Sequence, residues 1–252
     1  MANIKPAEQF TRDGFVVLRQ LAEPDTWRGI RQHALDWLEA PQAPVEYESD
    51  LGYPGAPNAR DAIGGATPRR LLQAWQRHRD LQAWSSHPRL VAALKQLMPG
   101  PIWLPLAHHN CLMCKHPQFS SDSGWHQDLR YWSYQRGELI TAWLALGDER
   151  PDNGGLMVIP GSHRHRFETG AFDQKQFFRT DHESNQSWLE RAQPVTLDAG
   201  DVLLFHCKLL HAASRNHGIQ TKLAAVFTYR SGDDHPIPGS RSAKGGDVLI
   251  AS

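Results

Sequence analysis

Gly124-Trp125-His126-Gln127-Asp128 sets an imidazole and a carboxylate two residues apart. In an extended strand, residues i and i+2 point to the same face. Both side chains can therefore reach one metal ion, and Gln127 between them should turn the other way. An H-x-D pair is common by chance, and His163-Arg164-His165 competes with it. What distinguishes His126 and Asp128 is their setting: a strand entered by Gly124-Trp125, with a run of further strands behind it.

From residue 101 onward, apolar runs alternate with turn signals. The expected strands are 102–107, 109–115, 125–129, 138–147, 155–159, 194–197, 201–206 and 222–230. Asp152-Asn153-Gly154-Gly155, Pro160-Gly161-Ser162-His163 and Ala199-Gly200-Asp201 mark turns between them. Upstream, helices are expected over 7–13 with Gly14 as C-cap, from just after Pro24-Asp25 to about Glu39 with Asp25 as N-cap, about 68–77, and about 87–98. Phe15-Val16-Val17-Leu18 reads as a strand between the first two. Residues 40–66 are rich in Pro and Gly, lack a period and contain Tyr47, Tyr53 and Arg60, the pattern of a long loop that is either functional or disordered. The class predicted is mainly β (α+β): a jelly-roll barrel with buttressing N-terminal helices. No repeat, low-complexity tract or linker divides the chain. One domain is expected over 1–252, with a helical region to about 100, a jelly-roll core over about 101–230, and a C-terminal tail over 231–252. Residues 164–191, with Phe167, Phe172, Phe177, Phe178 and Trp188, read either as a lid or as an excursion packed on the barrel.

A formal net charge of zero offers no electrostatic case for nucleic acid or an anionic membrane surface. No stretch approaches the ~20 apolar residues that span a bilayer. Met1-Ala2-Asn3-Ile4-Lys5-Pro6 has no apolar segment of a secretory signal. Cys111 and Cys114 have the C-x-x-C spacing of zinc and redox sites, but no second pair accompanies them, and they lie in an expected strand. With Cys207 they are read as structural thiols, suited to a reducing cytosol and so to a cytoplasmic protein. The expected partner is a small-molecule substrate, and the expected state a monomer or homodimer.

Two His and one carboxylate on one side of a metal form the facial triad of non-haem Fe(II) oxygenases. The same set suits catalytic zinc. Two residues compete as the third ligand. His206 ends the run Asp201-Val202-Leu203-Leu204-Phe205-His206, where alternation puts it on the face of Val202 and Leu204. His211 precedes Ala212-Ala213-Ser214-Arg215-Asn216-His217, a loop or short strand. Periodicity alone does not choose between them. His108, His109, His116, His163, His165, His182, His217 and His235 are read as ordinary residues.

Several stretches together resemble the phytanoyl-CoA dioxygenase family of Fe(II)- and 2-oxoglutarate-dependent oxygenases. They are Phe10-Thr11-Arg12-Asp13-Gly14-Phe15-Val16-Val17, Trp125-His126-Gln127-Asp128, Thr141-Ala142-Trp143-Leu144-Ala145-Leu146, Asn153-Gly154-Gly155-Leu156 with Ile159-Pro160-Gly161-Ser162-His163, and Gly200-Asp201-Val202 through His211 to Asn216. They cover most of residues 10–230 in matching order and spacing. The resemblance selects His211 as third ligand, giving His126, Asp128 and His211 as catalytic iron ligands. It also implies a double-stranded β-helix, the jelly roll of the strand pattern. In the family, 2-oxoglutarate chelates the iron, dioxygen takes the remaining position, and decarboxylation generates the oxidant that attacks a C–H bond. The carboxylate of Asp128 favours hydroxylation, because related halogenases lack it.

The family usually anchors the far carboxylate of 2-oxoglutarate with an Arg eleven residues after the last His ligand. Position 222 holds Lys instead. Lys222 supplies the charge without the two-pronged geometry of Arg, and is assigned the anchor role with help from nearby hydroxyls. A solvent-facing strand Lys is the alternative. Arg230, eight residues on, is roughly 26 Å away along an extended strand, and Arg215 falls in a loop. The resemblance further suggests that Trp143, Asn110 and Leu112 flank the co-substrate and that Lys115 lies near the mouth. Ser214 and Asn216 are candidates to hold the loop after His211. Arg60, Arg69, Arg70 and Arg179 are candidates to grip an acidic substrate group, though each also suits a solvated surface.

The function expected is therefore an Fe(II)- and 2-oxoglutarate-dependent dioxygenase that hydroxylates a small organic metabolite. Alternatives are a non-catalytic jelly-roll metal or ligand-binding protein, desaturation, ring closure or epimerisation at the same iron, and a zinc hydrolase on the same ligands. Nothing in the chain marks a CoA pocket or a phosphate-binding patch.

Overall fold

The computed structural model describes residues 5–252. Residues 1–4, which belong to the segment read above for a missing signal, lie outside the described residues. The strands are β1 (Phe15–Leu18), β2 (Val45–Tyr47), β3 (Pro68–Leu72), β4 (Ile102–Pro105), β5 (Asn110–Lys115), β6 (Ser123–His126), β7 (Ile140–Ala145), β8 (Leu156–Val158), β9 (Gln193–Pro194), β10 (Val202–His206), β11 (His211–Ala213), β12 (Lys222–Ser231) and β13 (Asp247–Ala251). The helices are α1 (Pro6–Asp13), α2 (Pro24–Glu39), α3 (Ala74–Arg77), α4 (Arg79–Ser85), α5 (Pro88–Leu97), α6 (Gln186–Leu189) and α7 (Arg241–Lys244).

The strands form two antiparallel sheets. The larger runs β1-β10-β7-β12-β5-β3-β2, with β4 bridging β12 and β13; the smaller runs β6-β11-β8-β9. Alternation along each strand of the larger sheet divides its residues between two cores. Leu144, Leu204, Ala225 and Phe227 face outward and pack with Ile30, Ala34, Leu81, Trp84, Leu90 and Leu94 of the helices. Trp143, Phe205, Ala224 and Val226 face inward and meet Leu156, Val158 and Ala213 of the smaller sheet. The helices thus shield one face of the large sheet, and the space between the sheets is left for a site. This is the expected jelly roll with N-terminal helices.

α1 begins on Pro6, whose missing N–H costs nothing in the first turn, and stops at Gly14, which takes φ +84 and donates its N–H to Phe10 O. α2 begins two residues earlier than the Asp25 cap implies. Pro24 takes the first helical position, Glu23 is the N-cap, and Asp25 sits in the first turn, still complementing the helix dipole.

The stretch 68–77, expected as a helix, is strand β3 followed by the single-turn α3. Pairing of Arg70, Leu71 and Leu72 with Met113, Leu112 and Cys111 on β5 overrides helix propensity, and Gln73 breaks the chain at φ +56. Residues 231–252 are not a loose tail, because β13 pairs with β4. The N-terminal third likewise contributes β1 and β3 to the large sheet. Cys111 joins the inner core and Cys114 the outer, so the two thiols face opposite sides of β5. All three cysteines are buried and unpaired. Among the described residues no helix is long and apolar enough to cross a membrane.

Candidate metal centre

β11 carries His211 and β6 carries His126, and the two are direct register partners. The strand expected over 125–129 ends at His126, and Asp128 opens a single 3₁₀ turn, Asp128–Tyr131. Gln127 remains extended at φ −109, ψ 135. That one extended residue brings Asp128 back to the side of His126. Gln127 itself turns away and donates from Nε2 to Lys208 O at 2.5 Å.

The three donor groups converge. His126 Nε2 lies 3.8 Å and His211 Nε2 3.7 Å from Asp128 Oδ1. His126 Nδ1 meets Gly124 O at 2.8 Å, and His211 Nδ1 meets Leu209 O at 3.0 Å. A carbonyl only accepts, so each ring donates from Nδ1 and turns Nε2 inward. Burial pushes the His126 imidazole down to about 3, which keeps it neutral. Burial alone would raise the Asp128 carboxyl, but His109, His211 and His126 outweigh it and hold Asp128 below the ordinary carboxylate value. Two imidazoles held through Nδ1 with Nε2 turned inward, and a carboxylate beside them, are the donor set that a divalent cation takes, so the residues fit an iron site.

His206, the rival third ligand, faces the other way. It shares the outward face of Val202 and Leu204 and bonds Glu138 Oε2 through Nε2 at 3.0 Å. Phe205, one residue earlier, faces in and packs its ring 5.0 Å from that of His211. Alternation on β10 therefore separates the two residues.

The second oxygen of Asp128 has its own neighbours. His109 Nδ1 and Thr141 Oγ1 each lie 3.5 Å from Asp128 Oδ2. His109 is buried, is pushed down to about 4 by that burial, and has no hydrogen-bond partner at Nδ1. It was read above as an ordinary histidine. The alternation of β5 would have signalled it, because His109, Cys111, Met113 and Lys115 all share the inward side.

That same alternation corrects two expected co-substrate neighbours. Asn110 and Leu112 face the helical layer. Asn110 Oδ1 accepts Trp75 N–H at 2.7 Å, its Nδ2 donates to Gln76 at 2.9 Å, and Leu112 belongs to the outer core. In their place Met113 and Lys115 line the cavity beside the triad. Lys115 is buried rather than at the mouth. Its Nζ donates to Ser121 O at 2.8 Å and Ser214 O at 2.5 Å, and burial pulls its pKa down to about 7.

Trp143 and Lys222 also line this cavity. Lys222 is not solvent-facing. Its Nζ bonds Glu149 Oε2 at 2.9 Å, and Trp143 Nε1–H donates to Glu149 Oε1 at 2.8 Å. Glu149 follows a strand in a turn-rich segment, and no motif marks it. Asn216 donates to Lys115 O and Gln220 O, and Ser214 to Pro151 O, so both tie down the loop after His211.

Of the four candidate arginines, Arg69 and Arg70 line the cavity together with Tyr53. Arg60 pairs with Asp50 and lies over the Tyr47 ring, and Arg179 pairs with Asp181. Arg230 is held by Asp247 away from the triad, and Arg215 sits beside Asp122. In the segment 164–191, Phe167, Phe172, Phe178 and Trp188 pack on Ile159 and Leu210. Phe177 from the same segment reaches the site, with its ring 6.1 Å from that of His126.

With this geometry in view, comparison with known proteins is decisive for the family. The phytanoyl-CoA dioxygenase (PhyH) family model matches residues 10–224. The chain belongs to the phytanoyl-CoA dioxygenase family. It is thereby an enzyme of the Fe(II)- and 2-oxoglutarate-dependent dioxygenase class. It is 26% identical to the ectoine dioxygenase of Halomonas elongata over 255 aligned positions, covering 94% of this chain and 72% of that one. It is 25% identical to the peroxisomal phytanoyl-CoA dioxygenase of Homo sapiens, over 66% of this chain and 50% of the human protein. Similar solved structures include EctD from S. alaskensis with 2-oxoglutarate and 5-hydroxyectoine, at TM-score 0.73, 22% identity, and 94% and 80% coverage of the two chains. The nogalamycin epimerase SnoN, in complex with Fe3+ and alpha ketoglutarate, matches at TM-score 0.73, 20% identity, and 92% and 85% coverage. Solved structures of this fold hold iron or 2-oxoglutarate, and in this chain His126, Asp128 and His211 form a buried cluster that could hold a metal ion.

Proposed function

We propose that this family member hydroxylates a C–H bond of a small organic metabolite, consuming 2-oxoglutarate and dioxygen and releasing succinate and CO2. The observation that carries this reading is the convergence of His126, Asp128 and His211, with all ligand atoms within 4.8 Å of one another, beside a cavity between the sheets. Iron held by such a set, with 2-oxoglutarate, supplies the oxidation of an unactivated carbon.

The chain's own residues hold, orient and exclude water. The carbonyls of Gly124 and Leu209 fix the two imidazole rings. Thr141 donates to the second oxygen of Asp128, and His109 packs 3.5 Å from the same oxygen. Lys222, at the inner end of β12, donates to the far carboxylate of 2-oxoglutarate, and Trp143 forms the adjacent wall. Phe177 and Phe205 keep water from the rings. Tyr53, Arg69 and Arg70 line the substrate side. Retention of the Asp128 carboxylate supports hydroxylation over halogenation. We assign the enzyme to the cytoplasm, consistent with three buried free thiols, as a monomer or homodimer acting on a small molecule.

The test is a 2-oxoglutarate decarboxylation screen over a metabolite library under Fe(II) and ascorbate, with mass detection of a product gaining one oxygen atom. Absence of succinate formation by protein that retains its metal would overturn the reading. Metal analysis of anaerobically purified protein separates it from zinc hydrolysis.

A further inference from the structure

Lys222 is a cation with a built-in partner. Its side chain is 3% exposed and that of Glu149 0% exposed, with Nζ and Oε2 2.9 Å apart. The other Glu149 oxygen is occupied by Trp143 Nε1–H, and Nζ lies 4.8 Å from the centroid of the Trp143 ring. Both carboxylate oxygens are therefore matched, while Nζ makes no other hydrogen bond among the described residues. Lys222 lines the cavity and Glu149 does not. The acid sits behind the amine and cancels much of the charge that the cavity would otherwise feel.

An anion approaching Nζ also approaches Glu149. In a buried setting the repulsion from Glu149 acts through the same low dielectric as the attraction to Lys222. What remains for a ligand is the hydrogen-bonding capacity of the ammonium. We propose that Glu149 is a specificity-determining residue that neutralises the Lys222 anchor, so that the far end of the co-substrate is recognised by hydrogen bonding without net charge. The site then accepts a 2-oxo acid with a neutral distal acceptor nearly as well as 2-oxoglutarate itself. This rests on Lys222 being the anchor, as argued above.

The experiment is calorimetric binding to the zinc-loaded protein, which binds ligand without turnover. The probes are 2-oxoglutarate and its distal amide analogue. The wild-type protein should hold the two within about fivefold of each other, a difference under about 1 kcal/mol. Glu149→Gln keeps an acceptor for Trp143 and removes the charge. It should tighten 2-oxoglutarate by about tenfold or more while moving the amide by less than about threefold. A wild-type preference of about a hundredfold for 2-oxoglutarate overturns the proposal without any variant. So does a folded Glu149→Gln protein, verified by its thermal melt, whose ratio between the two ligands is unchanged. Lys222→Ala separates the two layers. If it leaves both affinities unchanged, the anchor assignment itself fails. If it weakens both while Glu149→Gln leaves their ratio alone, only the role of Glu149 fails.

Discussion

His211 and His126 face each other in register across the β11–β6 pairing, with ring centroids 4.2 Å apart. The third ligand is thus placed by strand pairing between segments far apart in sequence. His211→Ala should lower divalent-metal affinity by at least about a hundredfold, since a three-ligand site loses one of its donors. His206→Ala, on the opposite face, should retain the metal. Metal content after dialysis and cobalt titration of both variants check this.

His109 Nδ1 lies 3.5 Å from Asp128 Oδ2, close enough to act as an outer partner of that ligand. Outer partners of metal ligands typically contribute about 10–100-fold to affinity. His109→Phe should reduce metal affinity by that order while the fold melts near the wild-type temperature. Competition titration against a chelator gives the value, and unchanged affinity would remove His109 from the site.

The Lys222–Glu149 pair also bears on stability. Lys222→Ala leaves a buried carboxylate without its partner, which should cost about 3–5 kcal/mol. Replacing both at once, Lys222→Met with Glu149→Leu, should recover most of that loss, because well-packed apolar substitutes for a buried pair are often neutral or stabilising. Denaturant unfolding of the single and double variants reads the difference.

Glu138 gives the fold an acid-sensitive contact. The hydrogen bond from His206, with a further one from Lys208, holds its carboxyl down at about 2, against an ordinary value of 4.5. The folded value is depressed, so the contribution is full above the ordinary value and is lost as pH falls from about 4.5 toward about 2. The melting-temperature gap between wild type and Glu138→Gln should be open at pH 6 and narrow steadily below pH 4.5. Because Glu138 is half exposed, the gap should be small.

Much of this protein is legible without coordinates. The i, i+2 spacing of His126 and Asp128 places both on one side wherever the intervening residue is extended, and Gln127 is extended even though the strand has ended. The turns at Asn153-Gly154 and Gly161 follow from the positive φ that Gly adopts without steric cost, at +83 and +77. Period-2 alternation already put His206 on the face of Val202 and Leu204. It would also have excluded Asn110 and Leu112 in favour of His109 and Met113, had the inward face of β5 been known. A one-residue change of face reverses every side chain on a strand, and local pattern does not say which face meets the core when both faces are apolar.

Turn chemistry, strand pattern and short-range spacing point to the fold class and to the His126 and Asp128 pair, because each depends only on neighbours along the chain. The pairing of β11 with β6, the strand character of residues 68–72, the capture of β13 by β4, and Glu149 behind Lys222 belong to the tertiary structure alone. They depend on which distant segments come to lie side by side, and on the low dielectric that then makes a buried charge seek its partner.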